Sequence, residues 1–306
     1  MYRIRSSVWL VAALATLATV AAACGGTTSS PGTTSKGTIT VAGFNFPESS
    51  ILAQVYGQTL AHDGYTINYK LNLGTRKVVA PALQSAQIDM YPGYAASELE
   101  YFNSGAGEAS SDPAATTAKL NTYLAKINAV ALTPSAAVDG NAYAVTKATA
   151  DKYNLKTLSD LTPIAGQLVF GAGPECPTYK FCLPGLMSVY GLHFKQTLTL
   201  DTDGPATRAA FKNGSIQVGL VFSTDSDLNQ LGLVVLQDDK HMIAADNVVP
   251  VVRTAIATDA VKTVLDKVDA ALTTTDLFTM NGQVELLHQD ADAVATAYLQ
   301  KHNYFS

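Results

Sequence analysis

Cys176 and Cys182 stand in the stretch PECPTYKFC with Tyr179 between them, and they are two of only three cysteines in 306 residues. Their spacing is not that of the paired CxxC groups that hold zinc, which leaves a short disulfide or two free thiols. His62, His193, His241, His288 and His302 are scattered, and none has metal-ligand spacing. The acidic groups DTDG (Asp201 to Gly204) and DSD (Asp225 to Asp227) fall where helices are expected to begin, so they read as N-cap and first-turn residues rather than a metal site. No G-x-S-x-G, H-E-x-x-H, Walker A or EF-hand pattern occurs. These residues therefore predict neither catalysis, nor a metal, nor a cofactor. Aromatic rings are the more informative set, with 14 tyrosines against one tryptophan. Phe44, Tyr91, Tyr94, Tyr143, Tyr179 and Phe222 lie beside glycine or proline or at the predicted ends of strands. Rings facing a cleft can hold a cation or a flat organic molecule.

The elements that position these rings follow from hydrophobic period. TITV (38–41) alternates as a strand and runs into a turn at Gly43. Pro47 and Glu48 then open a helix, with Ile51, Val55 and Leu60 near helical spacing, that stops at Gly64. The pattern repeats through YTINYKLNL, KVVAPALQSAQ, IDMYPGY and ASELEYFN, then a helix near 116–127 and the strand AVALTP. A second series of strands comprises NAYAVT, GQLVFGAG, FKQTLTL, IQVGLVFST and LGLVVLQD. NVVPVVRTAIA reads as an extended crossing segment, and the helical remainder is expected to pack back on the first half. Strands alternating with helices predict an α/β fold of two lobes, each a central sheet flanked by helices, joined by two crossovers. In such sheets ligands collect at the carboxyl ends of strands. The expected lobes are 38–139 with 248–306, and 140–247.

The N-terminus reads as an export signal over 1–23: Arg3 and Arg5, then an apolar run from Val8 to Val20 too short to span a bilayer comfortably, then AAAC. Small residues running into Cys24 resemble a bacterial lipobox, in which the cysteine carries the lipid, although Ala21 stands where Leu is usual. An ordinary cleaved signal is the alternative. Residues 24–37 read as a flexible tether. In an exported protein Cys176 and Cys182 are read as a bridge, worth only about 2 kcal/mol for so short a loop and so suited to shaping a local segment. The net charge of −5 and the lack of a Lys/Arg cluster argue against nucleic acid as a partner.

Five ordered blocks then resemble the type II (Venus-flytrap) substrate-binding proteins of osmoprotectant ABC transporters, which bind glycine betaine, choline, carnitine or proline betaine. They are GFNFPESSILAQVYGQTL, LNLGTRKVVAPALQSAQIDMYPGY, NAYAVT followed by KYNLKTLSDL, GPECPTYKFCLPGLMSVYGL, and FKNGSIQVGLVFSTD with LVVLQDDKHMIAADNVVPVV. The resemblance implies a cage of aromatic rings around a quaternary ammonium, with a lysine and an arginine holding the ligand's carboxylate. Tyr94, Tyr143 and Phe222 stand at three cage positions, and Asn247 or a neighbour stands where a fourth ring is usual. Phe44 replaces the lysine and Tyr179 the arginine. Losing both cations would cost a buried carboxylate several kcal/mol, which counts against glycine betaine. Ser97 offers a hydroxyl, Arg76 is the cation expected near the cleft, and Glu175 is the acid nearest the disulfide loop.

The function expected is a monomeric, lipid-anchored solute-binding protein on the outer face of the cytoplasmic membrane. It would deliver a quaternary amine, or a neutral or aromatic compound, to an ABC permease and its ATPase. An extracellular sensor or enzyme on the same fold is the alternative.

Overall fold

The computed structural model describes residues 35–304 apart from 111 and 245. The expected signal (1–23), Cys24 and the tether up to residue 34 lie outside the described residues. The first series is β1 (Thr38–Ala42), α1 (Pro47–His62), β2 (Thr66–Lys70), α2 (Arg76–Gln84), β3 (Met90–Tyr94), α3 (Ala95–Phe102), α4 (Pro113–Leu124) and β4 (Ala129–Ala131). The second is β5 (Asn141–Thr146), α5 (Lys147–Tyr153), β6 (Val169–Ala172), α6 (Leu183–Tyr190), β7 (Gln196–Thr199), α7 (Pro205–Lys212), β8 (Val218–Phe222) and β9 (Leu233–Leu236). The chain then returns through β10 (Val248–Arg253), α8 (Asp259–Ala271), α9 (Thr274–Glu285) and α10 (Ala291–Lys301).

These strands make two five-stranded sheets, ordered β2-β1-β3-β10-β4 and β7-β6-β8-β5-β9. Each has three parallel strands, then an antiparallel fourth, β10 or β5, then an edge strand. The repeated pattern has a simple cause. Parallel strands of both sheets end at the cleft, so a strand entering a lobe from the cleft must run the other way. β5 begins at Asn141 opposite Phe222, and β10 begins at Val248 opposite Tyr94. NVVPVVRTAIA is thus largely a strand of the first sheet, and the crossing is confined to the residues before it.

The crossovers pair with each other as a short antiparallel ribbon. Ser135 N–H donates to Val248 O at 2.9 Å, Val248 N–H to Ala137 O at 3.0 Å, and Asp139 N–H to Asp246 O at 2.9 Å. The cores are separate. In one, Ile51, Leu52, Val55 and Leu60 of α1 pack with Val249 and Val251 of β10, Leu265 of α8 and Leu299 of α10. Around the second sheet, Val145, Phe170, Leu186, Val218 and Leu220 pack together, and Ala144, Phe211, Ile216 and Val221 form a second cluster. Each such side chain stabilises its own lobe by roughly 1.5–3 kcal/mol, which leaves the lobe-to-lobe contacts mainly polar and aromatic.

Candidate ligand-binding site

The loops after the parallel strands meet across a cavity lined by residues of both sheets and of the crossovers between them. β1 runs into Phe44 and Phe46 because Pro47 starts α1 immediately afterwards. β3 ends on Tyr94, β8 ends on Phe222, and the loop after β6 carries Tyr179. All five rings line the cavity. Phe44 and Phe46 stack at 5.8 Å between centroids, Phe46 lies 6.1 Å from Tyr94, and Phe46 meets Phe222 of the other lobe at 5.0 Å.

Cys176 and Cys182 are joined as a disulfide with their Cα atoms 5.1 Å apart, and both line the cavity. The loop they close holds Tyr179. Its hydroxyl lies 2.6 Å from Ser97 Oγ, and Ser97 Oγ also donates to Asp246 Oδ2. A serine has one hydroxyl proton, so with that proton on Asp246, Tyr179 is the donor to Ser97. Ser97 N–H donates to Asp246 Oδ1 at 2.7 Å as well. One chain of hydrogen bonds thereby ties the disulfide loop, α3 and the hinge together.

Arg76 is the one Lys, Arg or His among the lining residues, and its charge is already engaged. Its Nε donates to Glu98 Oε1 at 2.8 Å, Nη1 lies 3.9 Å from Glu175 Oε2, and the guanidinium sits 5.1 Å from the Phe44 ring centre. Tyr91 donates to the other oxygen of Glu98 at 2.9 Å. Glu175 also accepts from Lys77 N–H at 3.2 Å, so it bridges toward the first lobe.

Three carboxylates line the cavity: Asp139, Glu175 and Asp246. Asp139 Oδ1 accepts from Ser223 Oγ at 3.1 Å and Thr224 N–H at 3.2 Å. Burial, with the negative charge of Glu48 adding to it, raises Asp139 well above the usual carboxylate range. Burial pushes Asp246 up to about 6 against the opposing bonds from Ser97. Behind them Glu48 accepts from Tyr94 O–H at 2.7 Å, Thr224 Oγ1 at 2.6 Å and Asn281 Nδ2 at 2.7 Å. Burial raises Glu48 too, with those three bonds working against the rise.

Of the residues singled out in the sequence, Phe44, Arg76, Tyr94, Ser97, Glu175, Tyr179 and Phe222 come together around the cavity. Tyr143 does not line it. It lies buried, packs on Phe170 at 6.1 Å and donates to Phe181 O at 2.6 Å, which supports the disulfide loop from behind. Asn247 does not line it either, since its Nδ2 donates to Ser135 O at 2.9 Å within the hinge ribbon. Its neighbour Asp246 takes that place. Phe46, Asp139, Asn141 and Asp246 are lining residues that the sequence reading passed over. Phe46 carried the same signal as Phe44, an aromatic in the turn before a helix.

The two acidic groups differ from each other. Asp201 does serve the start of α7, accepting from the N–H groups of Gly204, Ala206 and Thr207. No helix starts at Asp225 to Asp227; Asp225 and Asp227 instead gather around Arg208 with Asp203 and Glu285. Burial and the neighbouring Asp203 push Asp225 up to about 10. Asp225, Asp227 and Glu285 are close enough to share an ion, but the guanidinium already supplies their positive charge.

Residues 37–301 match the family described as the substrate-binding domain of ABC-type glycine betaine transport systems. The glycine-betaine-binding protein of Pseudomonas aeruginosa is 26% identical over 277 residues, covering 87% of this chain and 88% of that protein. A carnitine transport binding protein of Listeria monocytogenes is 26% identical over 289 residues, 90% of each chain. The crystal structure of a glycine betaine/carnitine/choline ABC transporter protein shares the fold, with a TM-score of 0.67 at 22% identity over 88% of this chain and 100% of the other.

Proposed function

Since the chain belongs to the family of substrate-binding domains of ABC-type glycine betaine transport systems, we propose that it captures a cationic amine without a carboxylate of its own and delivers it to a membrane permease. The observation that carries this choice is the composition of the cavity wall. Five rings and three carboxylates face the space, while its one cation, Arg76, is held by Glu98 and Glu175. Rings attract a quaternary or protonated nitrogen through their faces, by ~2 kcal/mol or more when water is excluded. A ligand carboxylate would have to compete with Glu98 for Arg76 or go unpaired in a dry site.

The lobes, taken as 38–139 with 248–306 and as 140–247, would close about the paired crossovers. Closure assembles the wall from both lobes, and the permease would read the closed form. No described helix is long and apolar enough to cross a membrane; in this reading the protein is held at the membrane by a lipid on Cys24. In this reading the mature protein is a monomer on the outer face of the membrane.

Calorimetric titration of the purified protein with choline, carnitine, glycine betaine and neutral aromatic compounds tests this directly. Choline is expected to bind saturably and roughly tenfold or more tighter than glycine betaine, a difference of about 1.4 kcal/mol. Equal or tighter binding of glycine betaine, or binding of neutral compounds alone, would refute the assignment.

A further inference from the structure

Resting on the cationic reading of the cleft, we propose that the carboxylate of Asp139, with that of Asp246 beside it in the hinge, is the counter-ion of the bound ligand, so that a cation enters in exchange for protons and a zwitterion is disfavoured.

The two aspartates stand on the two crossovers where these pair, linked by the 2.9 Å bond from Asp139 N–H to Asp246 O. Both line the cavity, with only 3% and 6% of their surface exposed. Their oxygens accept from Ser223, Thr224 and Ser97, all neutral donors. Among the described residues neither Asp139, Asp246 nor Glu48 makes an ion pair.

The surroundings of Asp139 add negative charge rather than relieve it. Glu48 faces it from α1 and Asp225 from the connection after β8; the Tyr94 hydroxyl at the end of β3 sits in the field of Glu48, Asp139 and Asp246. Arg76 is the cation felt by Asp246, and Glu98 already holds it. Like charges this close and this dry cannot all ionise while the cleft is empty. All three acids therefore hold their protons to higher pH than an ordinary carboxylate, Asp246 up to about 6.

A quaternary or protonated nitrogen seated on the rings offers another source of positive charge. The acids then ionise, and their protons leave. The sign follows: the empty site holds protons more tightly than the filled one, so binding releases protons and affinity rises with pH through about 6 and above. A zwitterion supplies no net charge, and its carboxylate would add a further anion to the group.

Titration of the wild-type protein with choline chloride in two buffers of different ionisation enthalpy counts the protons exchanged. Proton release is expected, with tighter binding at about pH 8 than at about pH 6. Asp139→Asn is expected to weaken choline binding roughly tenfold or more and to flatten its pH dependence, while glycine betaine binding changes less. Asp246→Asn, in the same assay, should show a loss in the same direction. Choline binding by wild type with no proton release would overturn the inference, as would wild-type choline affinity in a folded Asp139→Asn protein. The cationic reading itself would then stand. If wild type binds neutral compounds and no cation, both fall together.

Discussion

Arg76 shows how little a residue's type says about its use. In the turn before a helix it reads as a free cation for a ligand; in the folded protein Glu98 and Glu175 hold it and Phe44 covers one face. Tyr179 is the converse, a ring whose hydroxyl does the joining. It reaches Ser97 from the other lobe at 2.6 Å, so Tyr179→Phe should keep the ring contact and lose one bond that exists only on closure. The expected cost is about 0.5–1.5 kcal/mol, or roughly two- to tenfold weaker ligand binding with little change in thermal stability. Calorimetry on the variant checks this. An affinity matching wild type would remove Tyr179 from the closing contacts.

At the scale of elements, α1 and α8 carry a feature with no role in the cleft. Asp269 of α8 is fully buried, accepts from Tyr56 O–H of α1 at 2.8 Å, and leaves Oδ2 without a partner. Burial raises its carboxyl well above the ordinary value, with the Tyr56 bond opposing and Asp266 adding to the rise. A carboxyl that holds its proton more tightly when folded stabilises fully below its unfolded value, and that stability is lost as pH rises through the folded value. Asp269→Asn should therefore raise stability more at about pH 8 than at about pH 5, the two effects differing by about 1–3 kcal/mol. Urea unfolding at both pH values measures the difference; equal effects at the two would rule the account out. The disulfide loop is the contrasting element. Its bridge adds little to global stability, yet Tyr143, holding Phe181 O, and the bridge together place Tyr179 at the cleft.

For the whole molecule, separate cores mean that closure and folding are separable. Thr224 of the second lobe donates to Glu48 of the first at 2.6 Å and also lies 3.2 Å from Asn281 Nδ2. Thr224→Val leaves both cores intact and removes a buried donor from Glu48, a loss of about 1–3 kcal/mol that falls on the closed form alone. In small-angle scattering, the variant should need several-fold more ligand than wild type to reach the compact form. Unshifted compaction would show that this contact does not hold the lobes together.

Local pattern determined much of this protein. The order of strands and helices, the helix opened by Pro47, the strand ends bearing Phe44, Tyr94 and Phe222, and the closeness of Cys176 to Cys182 were all legible, because side-chain period and turn chemistry act within a few residues. Tertiary structure alone decided which groups share the cleft. It turned Tyr143 inward as a support, brought Phe46, Asp139 and Asp246 to the wall, and gathered Asp225 and Asp227 around Arg208. It also joined Ser97 to Tyr179 across 82 residues, Glu48 to Thr224 across 176 and Glu48 to Asn281 across 233. The physical reason is that pairing of charges and donors depends on distance in space and on exclusion of water, and both are set by packing between elements far apart in the chain.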